Sequence, residues 1–118
     1  MQSALYVAAF LVVAVGIAHS YLGERYILMR LSRRGDLTKL MIRTLRFAWH
    51  VTTVAWWGFA AILVLLAHAP VTSSAIGLAI GWTFLVHAVI VLAGSRGRHL
   101  SWPVFLVIGV IAILATRT

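Results

Sequence analysis

Three histidines and one glutamate are the residues of this chain whose types and spacing could do chemistry. His19, His50 and His87 lie inside long apolar stretches, and Glu24 is one of only two carboxylates in 118 residues. Imidazole binds zinc, copper, nickel and iron, and paired axial histidines hold haem. Ionisable groups within apolar spans are functional candidates by default. If the chain turns near Gly35, His19 and His50 lie almost equally far on either side of it, so antiparallel helices bring them to nearly one height. His87 sits a few residues before a Gly-rich loop at Gly94 and can reach a similar depth. The expectation is a cofactor or metal site of His19, His50 and His87, facing the interior of a helical bundle, with haem or a transition metal as its ligand. The alternative is that each ring hydrogen-bonds across helices without a ligand. His68 and His99 fall in loops and are read as solvated.

The other polar residues have simpler readings. Glu24 and Arg46 are equidistant from Gly35, so a salt bridge at the membrane surface is favoured over a ligand or proton-carrier role for Glu24. Asp36 is read as the N-cap of the following helix. Ser20, Thr52, Thr53 and Thr83 are read as polar groups in helix packing, and Trp56, Trp57 and Trp82 as packing or lipid-facing residues. No serine–histidine–acid set, phosphate loop or carboxylate pair stands out, so a classical enzyme is the least supported class.

The elements that must position these residues follow from composition. The chain is 63% hydrophobic and 10% charged, with a mean hydropathy of +1.03. Soluble domains are about half apolar and about a quarter charged, so the long uncharged runs are read as membrane spans. Cysteine is absent, which excludes disulfides, thiolate metal sites and thiol chemistry. The net charge of +8 fits anionic lipid and topology better than nucleic acid, because the basic residues border apolar runs. A signal peptide would carry basic residues before the run from Ala4 to Ala18, and none is there.

Four helices are expected in one domain over residues 1–118: about 3–33, 37–67, 74–93 and 101–116. The fold class is all-α, a four-helix transmembrane bundle of two hairpins, the first extended into the cytoplasm. Arg33-Arg34-Gly35 is a stop signal, with cations at a helix C-terminus and glycine for the left-handed cap. The stretch from His68 through Ala69, Pro70 and Val71 to Ser74 reads as the second turn. Gly94 to His99 is the third turn, and Pro103 suits the first turn of the last helix. Gly77 and Gly81 offer a packing face, while Gly16 and Gly23 would let another backbone approach closely. Nine of the ten basic residues fall in the first and third turns or beside them. The positive-inside rule places that end in the cytoplasm and both termini outside.

The segments AHSYLGERYIL, residues 18–28, and RTLRFAWHVTTVAWWGFA, residues 43–60, resemble a group of small, uncharacterised four-span bacterial membrane proteins. The resemblance implies a multi-pass location in the bacterial inner membrane and no assigned activity, and it transfers no functional residue. Small multidrug transporters are similar in size, but their intramembrane glutamate in the middle of helix one has no equivalent here. Three roles are therefore expected to compete. The first is histidine-based binding of haem or a metal. The second is a structural or accessory subunit of a membrane complex. The third is a small oligomeric transporter, for which the outer half of the chain is poor in polar residues. The expected partners are the lipid bilayer and either further copies of the chain or another membrane protein, not nucleic acid.

Overall fold

A computed structural model describes residues 2–68 and 70–117. Among them every regular element is helical. Helix α1 spans Gln2–Arg34, α2 Lys39–Ala67, α3 Ser73–Ser95 and α4 Ser101–Ala115. Within α1, Gly23–Leu28 winds as a π-helix, and the Met29 N–H reaches back to the Glu24 carbonyl.

The helix ends are set by local chemistry. Gly35 closes α1 at φ 78°, with Arg33 and Arg34 in the last turn. A left-handed residue there favours glycine, and the cations offset the negative end of the helix dipole. Helix α2 is capped by Thr38, whose hydroxyl accepts the Met41 N–H at 3.2 Å, and not by Asp36. Asp36 pairs instead with Arg34 at 3.5 Å, because the helix begins later than its position requires. Thr72 caps α3 in the same way, accepting the Ala75 N–H at 3.1 Å. Helix α3 ends with Arg96 at φ 53° and Gly97 at φ 76°, and the Gly97 N–H returns to the Leu92 carbonyl at 2.9 Å. In the turn between α2 and α3, Ala69 lies outside the described residues.

Neighbouring helices run antiparallel. Gly16 meets Thr53 while Glu24 meets Arg46; Gly58 meets Thr83 while Gly94 meets Phe47; Gly77 meets Thr116 while Gly81 meets Gly109. The loops after Arg34 and Ser95 therefore share one end, and the start of α1 at Gln2 and the end of α4 at Ala115 share the other. Gly77 and Gly81 form the close face that their spacing suggests: a Cβ on Gly81 would stand 2.9 Å from the Gly109 carbonyl oxygen.

Among the described residues each helix packs only against its neighbours in sequence. The Cα extents are 52 × 31 × 12 Å. Four axes in a row at roughly 9 Å spacing, plus the backbone cylinders, give a width of about 32 Å, whereas a two-by-two bundle would be about 14 Å in both directions. The four helices thus form a single layer without a common interior. Both faces of the layer are apolar and uncovered: Phe10 is 70% exposed, Val89 63% and Ile111 60%. Helices α1, α2 and α3 are long and apolar enough to cross a membrane. Helix α4, with 15 residues, is about 22 Å long against roughly 30 Å of hydrocarbon.

Candidate proton-binding seam between the first two helices

The polar residues of α1 and α2 meet along one seam. Arg46 grips Glu24 with both ends of its guanidinium, Nε to Oε2 at 3.1 Å and Nη2 to Oε1 at 2.9 Å. The same Oε2 lies 3.3 Å from His50 Nε2. His50 Nδ1 lies 2.9 Å from Ser20 Oγ, Ser20 Oγ lies 2.6 Å from Thr53 Oγ1, and Thr53 donates to the Gly16 carbonyl at 3.3 Å. The result is an unbroken ladder from Arg46 to Gly16. Its lower rungs are part-exposed, with the Glu24 and His50 side chains about a third exposed. At its upper end Thr53 is buried.

Helical spacing explains the alignment. Ser20 and Glu24 are four residues apart on α1, and Arg46, His50 and Thr53 follow at four and three on α2, so each set shares a face. The π-helical turn begins at Gly23, beside Glu24. π-turns re-aim the residues after them and are frequent at functional sites. Gly23 itself leaves no room for a Cβ, because the Trp49 indole fills that place, and Trp57 occupies the matching place at Gly16. These glycines seat aromatic rings and not a second backbone. Trp49 donates its N–H to the His19 carbonyl at 2.9 Å.

The ladder can carry its hydrogens in two ways. If Thr53 donates to Gly16, Ser20 must donate to Thr53 and His50 Nδ1–H must donate to Ser20. His50 Nε2 then faces Glu24 either as a second N–H or as the acceptor of a carboxyl proton. If His50 is neutral with its hydrogen on Nε2 and Glu24 is ionised, the chain reverses: Ser20 donates to Nδ1 and Thr53 to Ser20. The two arrangements differ by one proton shared between His50 and Glu24. The Ser20–His50–Glu24 order also invites comparison with a hydrolytic triad. Ser20, however, sits in mid-helix, where surrounding N–H groups are committed to helical bonds and none is left to hold an oxyanion.

His19 and His87 stand apart from this ladder. The His19 ring stacks on Trp49 with centroids 4.7 Å apart and planes 4° from parallel, and tilts against Trp56 at 4.9 Å. Its Nε2 is buried without a hydrogen-bond partner. Trp56 and Trp49 are thus histidine neighbours. His87 is buried, holds the Thr83 carbonyl through Nδ1 at 2.6 Å and stands edge-on to Phe105 of α4 at 5.5 Å.

The expected shared site of His19, His50 and His87 is therefore corrected. Helices α1 and α3 do not touch, so His19 and His87 have no common space. Both His50 ring nitrogens are taken by Ser20 and Glu24. Among the described residues no group of three or more histidines and carboxylates is placed to hold a metal ion. The residues do not fit one haem or one transition metal held in common. The expected Glu24–Arg46 pair is present. Ser20 and Thr53 were undervalued by sequence reasoning, although a signal existed: Ser20 is equidistant with His50 from Gly35, a closer match than His19. Of the loop histidines, His68 meets the Tyr6 hydroxyl at 3.0 Å and His99 the Ser101 hydroxyl at 2.7 Å.

Comparison with family models, with curated proteins and with solved structures returns no match.

Proposed function

We propose that the chain is a multi-pass protein of the bacterial inner membrane whose α1–α2 seam binds and releases one proton at the His50–Glu24 pair. The observation that carries this reading is the continuous ladder Glu24–His50–Ser20–Thr53, in which one His50 ring nitrogen meets a carboxylate and the other a hydroxyl. Membrane embedding is supported by three helices of spanning length and composition and by apolar exposure on both faces of a layer one helix thick. The concentration of nine of ten basic residues at the end bearing the first and third loops supports that end as cytoplasmic, both termini as outside, and the first hairpin as reaching beyond the hydrocarbon. The resemblance of residues 18–28 and 43–60 to four-span bacterial membrane proteins agrees with this.

The seam opens toward the basic end and stops at Gly16. Between Gly16 and the Tyr6–His68 pair at the far end lie about 15 Å of apolar helix. The ladder therefore suits a proton-responsive element and not a path through the membrane. A second reading, a structural or accessory subunit, is favoured by the flat layer, whose uncovered faces would suit helices of a partner or of further copies.

Infrared difference spectra of the reconstituted protein between acidic and alkaline buffer test the proton site. A carboxylate or imidazole band is expected in the native protein, altered in Glu24→Gln and lost or moved in His50→Gln. Spectra unchanged by His50→Gln would reject it. Reporter fusions at Gly35 and after the C-terminal residue should report opposite sides of the membrane.

A further inference from the structure

The ends of α2 and α3 enclose a cleft of about 500 Å³, walled by Lys39, Arg43 and Arg98 and floored by the buried Phe47, with the exposed Leu40 also lining it. Among the described residues the ion pairs involve Arg34, Arg46 and His50, so none of the three wall cations has a carboxylate partner. Three unpaired cations on one concave surface raise a positive potential that a single neighbouring charge would not. The first N–H groups of α2 lie beside Lys39 and add the positive end of a helix dipole. The floor is of the opposite character. Gly94 brings α3 against Phe47, where a Cβ would stand 2.8 Å from the Phe47 Cβ. His99 closes the side by meeting the Phe47 ring edge-on at 5.2 Å. Ser95 and Thr44 already donate to the Val91 and Leu40 carbonyls, which leaves Lys39, Arg43 and Arg98 as the charged donors of the cleft.

A cationic wall over an apolar floor, at the loop end of apolar helices, matches a phosphate with acyl chains below it. We propose that this cleft is a binding site for the headgroup of an anionic phospholipid, with Lys39, Arg43 and Arg98 on the phosphate and Phe47, deeper along α2, against the upper acyl chain. Such basic pockets between helices on the cytoplasmic side are where anionic headgroups dock. The site rests on the membrane reading above but is independent of the proton ladder, which faces α1.

The test uses the whole protein in vesicles of phosphatidylcholine with or without phosphatidylglycerol, with flotation to score insertion. Brominated phosphatidylglycerol is then titrated, and quenching of tryptophan fluorescence gives the apparent affinity. K39Q/R43Q/R98Q should weaken that affinity on the order of 100-fold, a factor of about five for each cation. R30Q/R33Q/R34Q removes the same charge away from the cleft and should retain most of it. R98Q alone, in a loop where misfolding is least expected, should cost about fivefold. Protein that floats with both vesicle types but quenches alike with brominated phosphatidylcholine and phosphatidylglycerol overturns the site and leaves the membrane reading standing. Failure to float with either overturns both. Equal losses in the two triple variants reduce the effect to net charge and overturn the site. Full competition by inorganic phosphate at the lipid's own concentration overturns the lipid assignment.

Discussion

His50 Nε2 lies 3.3 Å from Glu24 Oε2, across the seam between α1 and α2, and the same carboxylate oxygen receives Arg46 Nε at 3.1 Å. One acid thus serves two basic groups on successive turns of the facing helix. This makes Glu24 the hinge of the polar ladder: it fixes His50 from one side and Arg46 from the other.

Removing Glu24 should therefore be felt at both partners. Glu24→Ala is expected to destabilise the hairpin by about 1–3 kcal/mol, since it strips two donors of their acceptor. The side chains are a third or more exposed, which keeps the value at the lower end of that range. A double-mutant cycle of Glu24→Gln and Arg46→Gln in detergent unfolding should give a coupling of about 0.5 kcal/mol or more. A coupling near zero would mean that the pair carries nothing.

The hydroxyl rungs should matter little to stability and more to the proton. Interhelical hydrogen bonds in membranes average about 0.6 kcal/mol, so Ser20→Ala and Thr53→Val should each cost about that much. Ser20→Ala also removes the partner of His50 Nδ1. Nitrogen NMR of labelled histidine should then show His50 shifting its tautomer balance or protonation, while Thr53→Val should affect it less. Unchanged His50 signals in Ser20→Ala would break the ladder as a unit.

Part of this arrangement was legible in the sequence. Gly35 marked the turn, and equal distance from it correctly paired Glu24 with Arg46. Gly77 and Gly81 marked the close face of α3. Height along a helix can be counted from a turn; rotation about the axis cannot when apolar residues surround it. His19, His50 and His87 were therefore placed at comparable depths but assigned one direction they do not share. The flat layer was illegible for the same reason, because helices apolar on every side do not say which side meets a neighbour. Ser20 reads from the sequence only as a polar group in helix packing, because a helical hydroxyl has its own backbone as a ready partner, as for Thr44 and Thr52 here.

Gly23 should be among the least replaceable residues of the seam. A Cβ there would fall on the Trp49 indole, so Gly23→Ala must push the ring out of its stack on His19 and away from the His19 carbonyl. The expected loss is about 1–3 kcal/mol, the usual cost of overpacking. Trp49→Leu should cost stability alone yet make Gly23→Ala nearly harmless. Additive losses in the double variant would show that the clash is relieved elsewhere.

His19 offers the converse test. Its Nε2 is buried and unpartnered among the described residues, and its ring lies between Trp49 and Trp56. An orphaned polar atom costs roughly 1–3 kcal/mol, whereas the stacking needs only a flat ring. His19→Phe keeps the aromatic contact and removes the orphan, so it should match the native protein in detergent unfolding or exceed it by up to about 1–3 kcal/mol. His19→Ala, which loses the stack, should cost about 0.5–1.5 kcal/mol plus the cavity left behind. If His19→Phe is instead destabilised as strongly as His19→Ala, Nε2 has a partner, and His19 regains a claim to bind a ligand.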